Sequence, residues 1–414
     1  MTPSSARPAA WPTPTDFAAP PPPSQLTEWE ALDRVARPAR LRRLRDCFAG
    51  AGVEAYFGVR PEHMRYLTGF RLGAGEERVA GQSGQFLVGG DEVVVLADSR
   101  YTIQVRREAP TARLFEVYHD LPSRWPELVG SVGARRVAME TACLPHSVWT
   151  DLEAAAPDVE LVPVDGWLEA DRATKEPAER ERIAAACAVA DRALAGLLPR
   201  IRPGATEIEL AMALEWEMRT NGAEALAFDV ACLSGPQAAL PHGAPRDEPI
   251  ADGAVLLFDF GAQVAGYRSD MTRTLFVGEP SERDLAVHGL VARAQRTAIQ
   301  LLEAHLAEGA ALPTGREVDA AARAVLVEDG RWPAYGHGLG HGIGLATHEA
   351  PSLGRSEAAA ATLPSPTVFS VEPGIYLEGE TGVRIEDLVS IDAAAGRLER
   401  LTRFPSGVVV VGGR

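Results

Sequence analysis

Asp259, Asp270, His341, Glu372 and Glu386 are four carboxylates and an imidazole, all in the C-terminal half of the chain. Together they can hold two divalent metal ions. Without cations, four clustered carboxylates repel and push one another's pKa values upward; two divalent ions neutralise them and leave a bridging water acidic enough to attack at neutral pH. One such acid alone would be an ordinary solvated strand-end charge. Spacing is what joins them. Asp259 ends the apolar run Val255, Leu256, Leu257 and Phe258, and Asp270 follows a turn-like stretch containing Gly266. That reads as a β-hairpin folded about Val264 and Ala265, with the two aspartates opposite each other on one face. Glu372 closes the run Val368, Phe369, Ser370, Val371, and Glu386 lies on a return strand (Val383, Arg384, Ile385) beyond the Gly-rich tip at residues 378–382. This second hairpin presents a second pair of acids.

His341 sits in Tyr335-Gly336-His337-Gly338-Leu339-Gly340-His341-Gly342-Ile343-Gly344-Leu345, followed by Thr347-His348-Glu349, so three of the nine histidines fall within twelve residues. Glycines let the backbone approach a ligand closely, and neutral imidazole is a common transition-metal donor and proton carrier. His341 reads as the metal ligand, with His337 and His348 as groups beside the metal or against substrate.

Helices must support those hairpins. Pro177 opens one whose stripe is Ile183, Cys187, Ala190, Leu194 and Leu197,. Thr206 with Glu209, and Thr314 with Glu317, form capping boxes ahead of helices ending at Gly222 and near Gly330,. Between them a long helix from about Ser281 to Ala307 carries Val287, Val291, Ala294, Ala298 and Leu302. Striped helices of this kind cover a sheet. Upstream, a helix bearing Leu41, Leu44 and Phe48, a strand near residues 55–59, a hairpin around Gly89-Gly90-Asp91 and strands near Val137 and Leu161 predict a separate α/β domain,. The organisation expected is a disordered Pro-rich tail over residues 1–28, an N-terminal α/β domain over 29–170 and a catalytic α+β domain over 171–414.

With 414 residues, 46% of them hydrophobic, there is material for two ordinary domains,. A net charge of −16 disfavours nucleic acid and anionic membrane as partners,. No window has the length of apolar residues a spanning helix needs, and the N-terminus lacks a basic-then-apolar signal, so a cytoplasmic protein is expected. Cys47, Cys143, Cys187 and Cys232 are far apart and form no C-x-x-C pair, arguing against a zinc knuckle or redox dithiol,. Asp259-Phe260-Gly261 matches a kinase triplet, but no Gly-rich phosphate loop or catalytic-loop sequence accompanies it. His348-Glu349 has Ser352 where the zinc helix H-E-x-x-H needs a second histidine, and no G-x-S-x-G serine elbow exists,.

Five ordered stretches resemble the pita-bread metallopeptidases, in the branch of aminopeptidase P and prolidase (Xaa-Pro dipeptidase). They are Leu240-Pro241-His242-Gly243; Phe258-Asp259-Phe260-Gly261 leading to Ser269-Asp270-Met271-Thr272-Arg273-Thr274; the histidine stretch; Val371-Glu372-Pro373-Gly374-Ile375-Tyr376; and Val383-Arg384-Ile385-Glu386-Asp387. Arg65-Tyr66-Leu67-Thr68-Gly69-Phe70 and Asp98-Ser99-Arg100-Tyr101 look like the branch's creatinase-like, non-catalytic N-terminal domain. The resemblance implies a C-terminal pita-bread domain with a curved antiparallel sheet. It also implies Asp259 chelating one ion, Asp270 and Glu386 bridging both, and His341 and Glu372 each binding one, with Glu372 shuttling a proton. His242 and His348 would contact substrate and stabilise its tetrahedral intermediate; His337, Tyr376 and Arg384 would form the pocket for the proline ring and the substrate's carboxyl side. No ligand is missing, unlike the metal-free creatinase-like members. Small proline-containing peptides as substrates, two manganese ions (cobalt, zinc or iron being acceptable to the same donors) and a homodimer or higher homo-oligomer follow from the same resemblance. Phe228, Tyr376 and Leu345 are candidate walls for the rigid, apolar proline ring. Two rival readings stand beside the peptidase: a metal enzyme of this fold acting on another small molecule, as a lyase or amidinohydrolase does, and a metal-binding module without activity.

Overall fold

The computed structural model describes residues 11–72 and 83–412. They divide into two compact units, Thr27–Arg172 and a second made of the residues up to Leu26 together with Ala173–Arg414.

In the first unit a six-stranded sheet runs in the order Arg113–Glu116, Val93–Ala97, Gln85–Val88, Ala55–Gly58, Arg136–Glu140, Glu160–Val164. The Ala55–Gly58 strand pairs antiparallel with Gln85–Val88 and parallel with Arg136–Glu140. Its central strands are buried throughout, so they read as unbroken apolar runs rather than alternating ones,. Trp125 is fully buried against them and meets Phe57 edge-on with ring centroids 5.1 Å apart,. This is the mixed α/β domain that the sequence predicts.

The second unit carries two larger sheets. One is ordered Val410–Val411, Met271–Val277, Ala254–Phe260, Ala231–Ser234; the other Glu349–Leu353, Gly340–Gly342, Thr367–Val371, Asp387–Asp392, Arg397–Arg400. A ribbon of Gly374–Leu377 and Thr381–Arg384 continues the second hairpin. Helix Pro177–Leu197 starts on a Glu176/Glu179 capping box with proline in its first turn. Thr206/Glu209 caps Glu207–Thr220, and Thr314/Glu317 caps Gly315–Asp329, which ends on left-handed Gly330. The long helix spans Glu282–Glu308. Its stripe of Val287, Val291, Ala294, Ala298 and Leu302 packs with Val318, Ala322 and Leu326 against Phe369, Val371, Val389 and Ile391 of the acid-bearing strands. From this helix Gln295 Nε2 donates to Val371 O (3.1 Å) and Asp387 Oδ2 (3.0 Å), tying the helix to residues adjoining Glu372 and Glu386. Among the described residues no helix is long and apolar enough to cross a membrane.

Two expectations need correction. Residues 11–28 are ordered: Trp11 Nε1 donates to Val410 O at 2.9 Å, Phe17 stacks on Phe404, and Pro14 O accepts from Arg192. Two aromatic anchors outweigh the Pro-rich composition, and Pro23 begins a helix running to Ala51 because proline suits a first helical turn,. The part of the tail at residues 1–10 lies outside the described residues. The first hairpin, moreover, turns at Ala265 and Gly266, both at positive φ, and not at Val264 and Ala265. Thr272 therefore lies opposite Asp259, which makes Asp270 its diagonal neighbour on the same face,.

Candidate metal centre

Each hairpin delivers two carboxylates. Asp259 sits near the end of the Ala254–Phe260 strand, and Asp270 immediately precedes Met271–Val277. Gly261 is required beside them, since a Cβ there would lie 2.0 Å from Ser269 O. In the second hairpin Val371 pairs with Asp387 and Gly374 with Arg384, so the register sets Glu372 and Glu386 face to face, as the sequence predicts. His341 comes from the Gly340–Gly342 strand. Gly340 and Gly342 allow backbone contacts that a Cβ would block, at 2.0 Å from Ser370 O and 2.1 Å from Ala350 O respectively,.

These five side chains converge. Asp270, His341 and Glu386 offer donor atoms all within 4.8 Å of one another. His341 Nε2 lies 3.4 Å from Glu372 Oε1 and 3.7 Å from Asp270 Oδ2. Its Nδ1 is 3.1 Å from Gly342 O; donation there leaves the Nε2 lone pair directed at the acids, the usual arrangement of a ligating histidine,. Burial, then the charges of Glu386, Asp259 and Glu372, pushes the Asp270 carboxyl well above its ordinary value. Burial followed by Glu372 and Asp259 does the same to Glu386, and burial raises Glu372. Asp259 Oδ1 is buried without a hydrogen-bond partner. Among the described residues these four acids thus face one guanidinium, Arg384, and one of their carboxylate oxygens is buried and unpartnered. Hard oxygen donors with one imidazole and this surplus of negative charge fit divalent metal ions.

The acids are held by groups the sequence reading did not single out. Thr272 Oγ1 donates to Glu386 Oε2 at 2.8 Å, and Glu386 N–H donates to Thr272 O at 3.1 Å. Ser370 Oγ donates to Glu372 Oε1 at 3.1 Å. Buried Arg273 donates to Thr272 O at 2.9 Å and pairs with Asp387 at 2.6 Å, fixing the strand ends on both sides of the centre. The opposition of Thr272 to Asp259 was available from strand register once the turn was placed correctly.

Beside the acids lies a cavity of about 380 Å³ whose lining includes His242, His337, His348, Phe228, Thr347 and Arg384. The His348 ring lies 4.2 Å from that of His341. Partial desolvation, then His341, lowers His348 below the ordinary imidazole value, leaving it neutral near pH 7,. His337 Nε2 is 2.9 Å from Tyr376 Oη, and burial lowers its pKa too. Arg384 is engaged at each nitrogen, by Asp259, Thr272 Oγ1 and Tyr376 Oη. Tyr376 stands behind His337 and Arg384. Leu345 is buried and absent from the cavity lining, so among the three candidate walls only Phe228 lines it.

A second grouping, His63, Glu140 and Glu169, has metal-like spacing in the N-terminal unit. Glu140 already accepts from Tyr56 Oη, the Val59 and Arg60 N–H groups and His63. Its oxygens are saturated, and the network anchors helix Pro61–Thr68 to the sheet.

Comparison with known proteins agrees with this geometry. The model of metallopeptidase family M24 matches residues 181–393, and that of the creatinase/prolidase N-terminal domain matches 40–174. The uncharacterised peptidase YqhT of Bacillus subtilis strain 168 is 33% identical over 372 residues, 90% of this chain and all of that one. The structure of a Xaa-Pro dipeptidase from Bacillus anthracis superposes with a TM-score of 0.79 at 32% identity, covering 90% of this chain and 99% of the other. That of a X-Pro aminopeptidase from Thermotoga maritima MSB8 gives the same score, identity and coverage.

Proposed function

The chain belongs to metallopeptidase family M24, and from that premise we propose that it is a dinuclear peptidase that hydrolyses the bond preceding a proline in second position. One observation carries the reading: the two acid-bearing hairpins and His341 meet at a 380 Å³ cavity rimmed by His242, His337, His348 and Phe228. Its relatives include both a Xaa-Pro dipeptidase and a X-Pro aminopeptidase.

Asp259, Asp270, His341, Glu372 and Glu386 would hold two divalent ions. When bound, such ions supply an acidified water and polarise the scissile carbonyl. Manganese is the proposed metal. The remaining work falls to this chain's own groups. Glu372 would take the water's proton and pass it to the leaving nitrogen. His348 and His242, in the same cavity, would hydrogen-bond the substrate and the oxyanion it becomes,. Phe228 offers the proline ring an apolar surface, while His337 and Arg384, hydrogen-bonded from behind by Tyr376, form the wall toward its carboxyl side. A homodimer acting in the cytoplasm on small peptides completes the proposal.

A chain-length series tests it. Ala-Pro should be cleaved and Ala-Ala far more slowly, with longer Ala-Pro peptides dividing dipeptidase from aminopeptidase. Metal-loaded enzyme that cleaves none of these would turn the reading toward another small-molecule substrate.

A further inference from the structure

Of the chain's 41 cationic residues, every one but Lys175 is arginine. That single lysine is fully enclosed: its side chain is 0% exposed, and Nζ lies 2.9 Å from Glu349 Oε1, itself on a side chain 5% exposed. Glu349 directly follows His348 and opens the Glu349–Leu353 strand. Its other oxygen accepts from Ala346 N–H at 3.2 Å, and Gly344 passes so near that a Cβ there would stand 2.5 Å from Oε1. The Lys175 N–H in turn donates to Pro366 O at 2.8 Å.

We propose that Lys175 is a positioning residue for the reaction: through Glu349 its ammonium fastens the 344–349 segment and so aims His348 into the metal cavity. The inference rests on the peptidase reading above. A buried ion pair is a poor stabiliser compared with apolar packing, so its presence here is better explained by placement than by stability. The residue type fits as well. Arginine's planar fork of five donors needs more room than a compact ammonium, and here the Gly344 backbone closes on Glu349 Oε1,. His348 itself stays free of the pair and keeps its ring beside His341.

Two arms test the proposal. In the metal-loaded enzyme, Lys175→Met should lower kcat for Ala-Pro by about tenfold to a hundredfold through misplacement of His348, with KM and metal content little changed. Lys175→Met combined with Glu349→Gln removes the unpaired charge, so it should regain thermal stability without regaining kcat. Wild-type kcat in the double variant would reduce the pair to a structural role and overturn the proposal, as would loss of metal in either variant. The second arm needs no turnover: protein labelled with [13Cε]lysine has one lysine signal, which Glu349→Gln should shift. An unmoved signal would mean that the pair does not exist in solution. If the wild-type enzyme leaves Ala-Pro and longer Ala-Pro peptides intact, the peptidase reading falls, while this signal still decides the pairing.

Discussion

At Asp270 and Glu386, carboxyls are 4% and 2% exposed and crowded by other acids, an arrangement that is costly unless cations answer it,. Asp270→Ala or Glu386→Ala should therefore lose bound metal and activity together, read by elemental analysis and Ala-Pro hydrolysis; full activity in either would refute a shared dinuclear centre. His348→Ala should bind metal normally and turn over slowly. Loss of metal in that variant would make His348 a ligand. At this scale the sequence was legible wherever chemistry fixes residue type, because a metal needs carboxylates and imidazole whatever the fold. Thr272, Ser370 and Lys175 were not legible, since a hydroxyl or ammonium that orients another group is ordinary in type and revealed only by its contact. Leu345 misled for the converse reason: an apolar residue in a site motif can equally belong to the core.

Elements set how accurately those residues meet. Gly340→Ala should disturb His341 directly, because the added Cβ would strike the Ser370 carbonyl at 2.0 Å. Overpacking of this kind costs about 1–3 kcal/mol, and metal affinity should fall with the unfolding temperature. Thr314→Ala removes a cap far from the chemistry, where Thr314 Oγ1 accepts from Glu317 N–H at 3.2 Å. It should cost about 1 kcal/mol in thermal unfolding and leave kcat unchanged. Buried Asp191, on the Pro177–Leu197 helix, accepts from the Arg403 and Phe404 N–H groups, and burial pushes its carboxyl up to about 6. A folded pKa above the unfolded value means its contribution is fully present below pH 3.8 and lost as pH rises through about 6,. Between those limits the wild-type unfolding temperature should fall relative to Asp191→Asn; parallel pH profiles would disprove it. Helix caps and hairpins were legible because their rules are local. The hairpin's true centre was misplaced by one position because Ala265, a residue that rarely adopts positive φ, shares the turn with Gly266,.

On the scale of the whole molecule, the division into an N-terminal α/β unit and a metallopeptidase unit follows from composition and motif order. The fate of the first residues does not. Trp11 and Phe17 are two side chains in a Pro-rich stretch, and only their distant partners Val410 and Phe404 show that this stretch belongs with the catalytic unit. Long-range contacts of this sort leave no periodic signal in sequence. The central claim, two ions serving hydrolysis before proline, is reached most directly by stripping the protein of metal and titrating manganese back while Ala-Pro hydrolysis is followed. Activity should be absent without metal and rise to a plateau at two equivalents per chain. Two equivalents bound without cleavage of Ala-Pro or of longer Ala-Pro peptides, or full cleavage by the metal-free protein, would contradict the account.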